Sequence, residues 1–235
     1  TTSGSEGSCT WCDGFKTGGL YSRGQIVKIT SISSNTVHFQ PSLFVSYTNA
    51  PIAVPFGADV SFAGVEMLQV YSNNAGFSSS FGMSACESCW IKGCESNYAD
   101  ADHVRILYGF HDEVRDSYFS NSFLHSPGSH DSDVLLAHKT TCTLVENNII
   151  ERTHVSLMVE WGAAGNVVSY NFMHAEFDAS ATNVLIGGID FHGAHPQFNL
   201  IEGNVLPKIF QDSIWGSSSH STVFRNWVIG TTKIC

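Results

Sequence analysis

Ionisable side chains with spacings suited to catalysis gather in the second half of the chain. The stretch Ile-Asp-Phe-His-Gly-Ala-His (189–195) contains Asp190, His192 and His195. In an extended strand Asp190 and His192 point to the same face, because side chains alternate. Such a pair can carry out acid–base chemistry or bind a divalent metal. The alternative is that these histidines satisfy buried turn carbonyls, since buried polar groups need hydrogen-bond partners.

A second cluster lies between residues 129 and 139. Asp131 and Asp133, two positions apart, are candidate ligands of Ca²⁺, which prefers several oxygen ligands. Lys139 follows His138 and is a candidate general base, or a cation that neutralises a substrate carboxylate. A solvated loop explains the two aspartates more simply when they are taken alone, but it explains Lys139 less well.

A carboxylate next to an aromatic ring ends the apolar stretch His-Val-Ser-Leu-Met-Val-Glu-Trp (154–161). Glu160 beside Trp161 can have a raised pKa and act as an acid, and Trp161 can stack against a sugar ring. A water-exposed strand end is the simpler alternative. Three further side chains complete the candidate set. Asp212 is a candidate catalytic carboxylate, and His125 and Trp215, together with His195, are candidate substrate contacts.

A repeated phrase predicts the elements that position these residues. It reads Leu-Val-Glu-Asn-Asn-Ile-Ile (144–150) and returns three times, with asparagines aligned at Asn148, Asn171, Asn204 and Asn226, spaced by 23, 33 and 22 residues. Earlier copies place three other residues in the asparagine position: Ser117, Cys94 and Tyr71. A repeat of this length without helical periodicity is typical of one coil of a parallel β-helix. At a turn, asparagine tolerates left-handed backbone angles, and stacked amides can hydrogen-bond as a ladder.

On these repeats, residues 65–230 resemble the right-handed parallel β-helix proteins of the pectate-lyase-like superfamily. The resemblance implies an all-β solenoid of about seven coils of 22–24 residues, with two loop insertions. That superfamily contains polysaccharide lyases, glycoside hydrolases and isomerases, and also non-catalytic adhesins and tailspikes. The chain matches no catalytic signature of the superfamily, so the resemblance predicts the fold more strongly than the activity.

The two long repeat steps predict the insertions. The step from Ser117 to Asn148 exceeds a regular coil by about 8 residues, and the step from Asn171 to Asn204 by about 10. Insertions in solenoids form loops, frequently on the binding face. If the chain is an enzyme, we expect eight side chains to converge in one cleft: His125, His130, Asp131, His138, Asp190, His192, His195 and Asp212.

Residues 1–64 are expected to form an irregular segment and a β-hairpin. The hairpin comprises residues 25–33 and 36–39, joined by Ser34-Asn35, and would cap the first coil, whose strand edges need cover. Residues 65–235 form the predicted β-helix. Because no polar cap follows the last repeat, the sequence predicts that something else covers the last coil or that the solenoid continues beyond the chain.

Composition limits the partners and the compartment. The net charge of −10 argues against nucleic acid and anionic membranes as partners, and no apolar run is long enough for membrane insertion. Seven cysteines favour a secreted or extracellular protein with disulfides, and Cys9–Cys12 is the local pair that we expect first. Two Cys-x-x-Cys pairs, at 9–12 and 86–89, leave a zinc site as an alternative, and Cys94 and Cys142 can be small core residues.

Two classes of function follow. The first is a secreted enzyme that cleaves or modifies a polysaccharide in a groove along the β-helix. As a hydrolase it needs two carboxylates, with Asp131 or Asp133, Glu160, Asp190 and Asp212 as the candidates. As a lyase it needs a base, Lys139 or His192, and a cation such as Ca²⁺ on the aspartates. The second class is a non-catalytic extracellular adhesin, spike or structural surface protein, which predicts that the ionisable residues scatter around the coils.

Overall fold

The computed structural model describes residues 22–48, 50–72, 76, 79–123, 125, 132–181, 183–212 and 216–230. These residues form strands and turns and contain no α-helix. Accordingly, none of them belongs to a helix long and apolar enough to cross a membrane. The architecture is the predicted right-handed parallel β-helix, preceded by an antiparallel hairpin.

The strands follow in chain order as the hairpin and then as successive coils. The hairpin consists of β1 (Lys28–Ser33) and β2 (Thr36–Gln40). The coils contain β3 (Val60–Ser61), β4 (Gly64–Glu66), β5 (Gln69–Tyr71), β6 (Phe81–Ser84), β7 (Cys86–Glu87), β8 (Trp90–Lys92), β9 (Glu95–Ala99), β10 (Val104–Leu107), β11 (Glu113–Arg115), β12 (Tyr118–Ser122), β13 (Ser132–Ala137), β14 (Leu144–Glu146), β15 (Ile149–Glu151), β16 (Val155–Glu160), β17 (Val167–Ser169), β18 (Phe172–His174), β19 (Ile189–His192), β20 (Ala194–Gln197), β21 (Leu200–Glu202), β22 (Val205–Leu206), β23 (Ile209–Gln211), β24 (Ser217–Ser219), β25 (Thr222–Phe224) and β26 (Trp227–Val228).

Successive coils stack their strands into three parallel sheets. Sheet 1 has six strands, β6, β10, β13, β16, β19 and β23. Sheet 2 has seven, β4, β8, β11, β14, β17, β21 and β25, and sheet 3 has seven, β5, β9, β12, β15, β18, β22 and β26. Between sheets 1 and 2 runs a line of short pairings, here called the bridge ladder: β3–β7, β20–β24 and the isolated bridges from Glu87 to Gln197. Seven strands in each of sheets 2 and 3 agree with the predicted number of coils.

The strands arise from alternation of apolar and polar residues. In β14, for example, only Val145 points inward, while Leu144 and Glu146 flank it on the outside. Inward residues from all three sheets form one core, whose fully buried members include Val114, Val145, Val168, Ile201, Phe119, Ile150, Met173, Leu206, Ile106, Leu136, Val159 and Phe191. Burial of such a side chain contributes roughly 1.5–3 kcal/mol, so the stacked core stabilises the coils together.

The predicted asparagine ladder exists at the corner between sheets 2 and 3. The Asn171 Oδ1 accepts a hydrogen bond from the Asn148 backbone N–H at 3.0 Å, and the Asn204 Oδ1 accepts one from Asn171 at 2.9 Å. Ser117 and Cys94 occupy the earlier rungs, as the sequence predicts. The prediction for Tyr71 is wrong, because β5 pairs Gln69 with Glu95 and so places Leu68, not Tyr71, opposite Cys94. The pairing of Gln69 with Glu95 gives a step of 26 residues where the repeat predicts 23.

Both predicted insertions leave the solenoid at one corner, between sheet 3 and sheet 1. The first lies between Ser122 and Ser132, and the second between His174 and Ile189. The strands of sheet 1 begin at this corner, which we call the leading corner. The corner where the strands of sheet 1 end is called the trailing corner. Ile186, at the end of the second insertion, belongs to an apolar cluster on the outer face of sheet 1 together with Leu135, Val155 and Met158. This part of the insertion therefore covers the outer face of sheet 1.

The described cysteines are free thiols. Cys86, Cys89 and Cys94 are buried, and Cys142 is half-buried. The prediction of disulfides therefore finds no support among these four residues, and Cys94 is a core residue as expected. The pair Cys9–Cys12 and Cys235 lie outside the residues that the structure describes.

Candidate active site

A histidine–carboxylate pair lies at the trailing corner. Phe191 belongs to the core, so the next residue, His192, ends β19 pointing outward. Asp212 follows β23 in the next coil, and its Oδ2 lies 2.8 Å from the His192 Nδ1. An ionised carboxylate can only accept hydrogen bonds, so opposite an ionised Asp212 the His192 Nδ1 is the donor of this pair. His192 exposes 24% of its side chain and Asp212 only 3%, so the histidine is the member that solvent and substrate can reach.

Two more acidic residues share this face of sheet 1. Glu160 pairs in register with His192 across β16 and β19, so Glu160, His192 and Asp212 stand in one row on three successive coils. Glu160 is buried, with 5% exposure. Asp190, two residues before His192, points to the same side and is half-buried. The sequence prediction that Asp190 and His192 share a face is thereby confirmed.

Three aromatic rings contact one another along the solenoid axis, on the coils of β10, β13 and β16, the last of which carries Glu160. The ring of His138 lies 4.9 Å from Tyr108 and 4.4 Å from Trp161, measured between centroids. Each ring belongs to the residue that follows a strand of sheet 1, and all three residues have positive φ angles. The left-handed turn thus repeats on three coils and aligns the rings, which form one wall of the candidate site.

The N-terminal segment 22–28 lies along the bridge ladder next to this wall. Its backbone approaches so closely that a Cβ at Gly162 would lie 2.1 Å from the Ser22 carbonyl oxygen. The Lys139 side chain runs beside Gly24, where a Cβ would lie 3.2 Å from its Cδ and Cε. Farther along, the Ile26 N–H donates to the Thr141 Oγ1 at 3.0 Å. Lys139 is therefore a half-buried cation between the segment and the trailing corner.

His195 is engaged in holding the segment. Its Nδ1 lies 2.9 Å from the Ser217 Oγ, and its Nε2 lies 2.6 Å from the Ser219 Oγ and 3.2 Å from an Arg23 nitrogen. The residue is 4% exposed. This surrounding resembles that of a structural histidine more than that of a substrate contact. The participation of Arg23 was not predicted, because 172 residues separate it from His195 and no local pattern marks it.

The leading corner holds two other predicted site residues. His125 stacks on Phe177 at 3.8 Å between ring centroids, which connects the two insertions. Asp133 is buried beside His103, and its Oδ1 accepts a hydrogen bond from Ser122. A six-residue strand of sheet 1 spans about 20 Å between the two corners. The described residues of the predicted cleft are therefore divided between two places, with His138, Asp190, His192, His195 and Asp212 at or near the trailing corner.

Buried carboxyl groups at the leading corner favour their neutral forms. Burial raises the pKa of Asp133 well above its usual value, with the Asp102 carboxylate adding to the effect, and raises the pKa of Glu176 to about 7. Burial lowers the pKa of His103 to about 3. The described residues contain no group of three or more His, Cys, Asp or Glu side chains that could hold a metal ion. Asp131 and Trp215 lie outside the described residues.

Comparisons of the chain with family models, with curated proteins and with solved structures found no match. The chemistry of the trailing corner therefore has to be inferred from its own geometry. A histidine oriented by a buried carboxylate can accept or donate a proton through Nε2. A second carboxyl group one coil away completes an arrangement suited to proton transfer.

Proposed function

We propose that this chain is a carbohydrate-active enzyme, a polysaccharide lyase or glycoside hydrolase, that acts at the trailing corner. The observation that carries the proposal is the His192–Asp212 hydrogen bond of 2.8 Å on the outer face of the β-helix. The resemblance of the repeats to the pectate-lyase-like superfamily supports a polysaccharide as the substrate. Polymeric substrates of this kind lie outside the cell, so the proposal includes a secreted or extracellular location.

Each residue of the row has a role in the proposal. His192 exchanges a proton with the substrate through Nε2, and Asp212 keeps Nδ1 protonated and the ring oriented. Glu160, in register with His192, is the candidate second acid or base. Trp161 is the sugar platform, and Lys139 supplies positive charge for a substrate carboxylate.

A panel of polysaccharides tests the proposal. The purified protein is incubated with neutral and uronate-containing polymers, with and without EDTA, and both reducing ends and the ultraviolet absorbance of unsaturated uronates are measured. Unsaturated products indicate a lyase, and reducing ends without that absorbance indicate a hydrolase. EDTA is expected to leave the activity unchanged if the described residues alone carry the reaction. If the folded protein releases no product across the panel, the enzyme proposal is wrong and a binding or structural role replaces it.

Variants assign the activity to the trailing corner. His192→Ala should lower kcat/KM at least about 100-fold, because general acid–base groups contribute on the order of 10²–10⁴-fold. Asp212→Asn should reduce kcat while changing KM little, because the amide no longer selects the same tautomer. His38→Ala, at an exposed position of the hairpin, is the matched control and should retain full activity. Equal activity of His192→Ala and His38→Ala would place the chemistry elsewhere.

A further inference from the structure

A second concave feature lies away from the trailing corner, where the bridge ladder meets sheet 2. It is a cleft of about 340 Å³ lined by Ser88, Cys89, Trp90, His111 and Glu113. This volume is within the range of roughly 300–1,000 Å³ typical of small-ligand sites. The pairing of segment 22–28 with the bridge ladder, through Thr141 and through an ion pair of Lys28 with Glu87, separates the cleft from the trailing corner. The proposed chemistry uses no residue of this cleft.

The indole of Trp90 is held in a fixed orientation. Gly64 of the preceding coil lies in register with Trp90, and a Cβ there would lie 2.3 Å from the indole Cε2 and Nε1. The ring therefore rests directly on the glycine backbone. The Nε1–H donates to the Glu66 Oε1 at 2.8 Å, which fixes the rotation of the ring. Because little side-chain freedom remains to be lost on binding, the cleft presents a preorganised aromatic wall.

Polar groups face this wall from the following coil. Glu113 lies in register with Trp90, and its side chain is 47% exposed. His111, an exposed residue, packs its ring edge-to-face with Phe110 at 4.3 Å, and Ser88 contributes to the lining. An aromatic platform opposite a carboxylate, an imidazole and a hydroxyl matches a pyranose ring, whose C–H face is apolar and whose edge carries hydroxyl groups.

The charges around the indole select among sugars. Glu66 and Glu113 flank Trp90 on the two neighbouring coils. Two cations lie two residues farther along the same strands, Lys92 after Trp90 and Arg115 after Glu113. Arg115 contacts the carboxylates of Glu113, Asp116 and Glu146, and Lys92 lies in register with Glu66. The charged groups placed directly at the indole are therefore the carboxylates of Glu66 and Glu113, and a negatively charged sugar there would meet repulsion.

We propose that the Trp90 cleft is an auxiliary binding subsite for uncharged pyranose residues of a polysaccharide. The sugar stacks on the indole and hydrogen-bonds to Glu113 and His111. The choice of a carbohydrate ligand rests on the proposed function, but the subsite itself requires no catalysis. It would hold a polymer on the solenoid while another part of the same chain occupies the trailing corner.

Affinity electrophoresis in gels that contain soluble polysaccharides tests the subsite. The probes are neutral xylan, galactomannan and mixed-linkage glucan, with polygalacturonate as the charged comparison, and the His192→Ala background prevents hydrolysis or elimination during the run. At least one neutral polymer should retard the protein, and Trp90→Ala should weaken this retardation at least tenfold. Trp227→Ala removes a tryptophan that is 68% exposed at the last coil and lies outside the cleft, and it should leave the retardation unchanged. Trp90→Phe should retain part of the affinity, which separates loss of stacking from loss of folding.

Three results would overturn the subsite: no retardation by any neutral polymer, equal losses in Trp90→Ala and Trp227→Ala, or polygalacturonate binding as tight as neutral binding. The two proposals fail separately. An active protein without retardation, or with retardation independent of Trp90, overturns the subsite alone. A protein that shows Trp90-dependent retardation but releases no product from any polymer overturns the enzyme proposal and leaves the subsite intact.

Discussion

Individual residues at the coil corners adopt left-handed backbone angles, and at one corner two such residues bond to each other through their side chains. Asn147 and Asp116 adopt positive φ on successive coils and hydrogen-bond to each other at 2.8 Å. Next to them lies the buried asparagine ladder. There the Asn171 Oδ1 accepts a hydrogen bond from the Asn148 backbone N–H, and the Asn148 side-chain amide donates one to the Val114 carbonyl of the preceding coil. Asparagine and aspartate are the non-glycine residues that tolerate left-handed angles best, and their short side chains bond locally.

A second polar ladder runs between the bridge ladder and sheet 2, and one of its rungs is an aspartate. The Asn166 Oδ1 accepts from the Thr143 N–H at 2.9 Å, and the Asp112 Oδ1 accepts from the Cys89 N–H at 2.8 Å. The Asn166 amide also donates to the Thr140 carbonyl at 3.0 Å. The Asp112 Oδ2 has no hydrogen-bond partner among the described residues. Burial raises the pKa of Asp112 to about 7, so the neutral acid imitates an asparagine.

Asp112→Asn should therefore stabilise the protein. The amide would donate to the backbone carbonyl on the preceding coil, and no buried charge would form. We expect a gain of about 1 kcal/mol below pH 4, rising as the pH increases toward 7 and constant above it, because only native Asp112 keeps its proton in that window. About 1 kcal/mol corresponds to about 2–4 °C in the melting temperature of a domain of this size. Thermal unfolding at several pH values measures the difference.

Asp116→Asn is the matched control. Asp116 is exposed, and hydrogen bonds from Asn147 and Arg115 lower the pKa of its carboxyl group. Loss of the charge should leave stability unchanged or slightly reduced at neutral pH. A melting temperature of Asp112→Asn at or below that of the wild type would show that Asp112 does not act as an asparagine substitute.

Among the elements, segment 22–28 and the later residue Phe44 pack on the solenoid at positions that lack a Cβ. Ser22 approaches Gly162, whose φ is +77°, and Phe44 approaches Gly165, whose φ is +69°. Glycine serves here because it adopts these angles without strain and leaves room for another chain segment. The segment thereby joins Lys139, Trp161 and His195 into one surface next to the candidate active site.

Gly162→Ala should detach this segment. The new Cβ would lie 2.1 Å from the Ser22 carbonyl oxygen, a backbone atom that must move, and a left-handed alanine adds about 1–2 kcal/mol of strain. Trypsin should then cleave after Arg23 and Lys28 faster than in the wild type, as mass spectrometry of timed digests would show. Gly82→Ala, at a position with open space and without positive φ, is the control and should leave both cleavage rates unchanged. Unchanged cleavage in Gly162→Ala would mean that the segment does not depend on this contact.

The sequence predicted the repeating coils and the local β-hairpin, and it missed contacts between segments far apart in the chain. The asparagines at 148, 171 and 204 predicted the coils, because each one makes the same hydrogen bond at the same turn of its coil. Asp190 and His192 were placed on one face because strand alternation is a local rule. The row formed by Glu160, His192 and Asp212 required the register of three coils, which insertions of unequal length conceal. The contact of Arg23 with His195 depends on a segment that folds back along the solenoid, and no periodic signal encodes it.

Across the whole molecule, the two corners of sheet 1 have different electrostatic characters. The trailing corner carries a half-exposed histidine with a carboxylate, whereas the leading corner buries Asp102, Asp133 and Glu176, whose pKa values burial raises. The Ser156 hydroxyl donates to the Glu176 Oε1 at 2.6 Å, and the other oxygen, Oε2, has no partner within the described part of the chain. Neutral Asp133 and Glu176 side chains avoid the large cost of buried charge, whereas Asp102 forms an ion pair with Arg105 at 2.6 Å.

The stability of the fold should consequently decline as the pH rises from about 5 to about 7. For Glu176 the native pKa of about 7 lies above its ordinary value of 4.5, so the native state keeps a proton that the unfolded state loses. Each such group lowers the free energy of unfolding by about 1.4 kcal/mol per pH unit in that window, and the loss is complete above the native pKa. His103 opposes this trend, because its native pKa of about 3 makes the fold gain stability as the pH rises to 6.5. Above pH 6.5 only the acids contribute.

Glu176→Gln isolates one of these groups from the rest. The Gln side chain can still accept the hydrogen bond from the Ser156 hydroxyl, but it cannot ionise. The free energy of unfolding of the variant should therefore lack the part of the pH dependence that the Glu176 proton causes. Its stability relative to the wild type should rise between pH 4.5 and 7 and stay constant at higher pH, as urea unfolding at fixed temperature would show. Glu146→Gln, at a partly exposed position in sheet 2, provides the comparison and should shift the curve little. A wild-type curve that rises steadily through pH 8, together with a pH-independent difference for Glu176→Gln, would mean that the leading corner holds its carboxylates ionised.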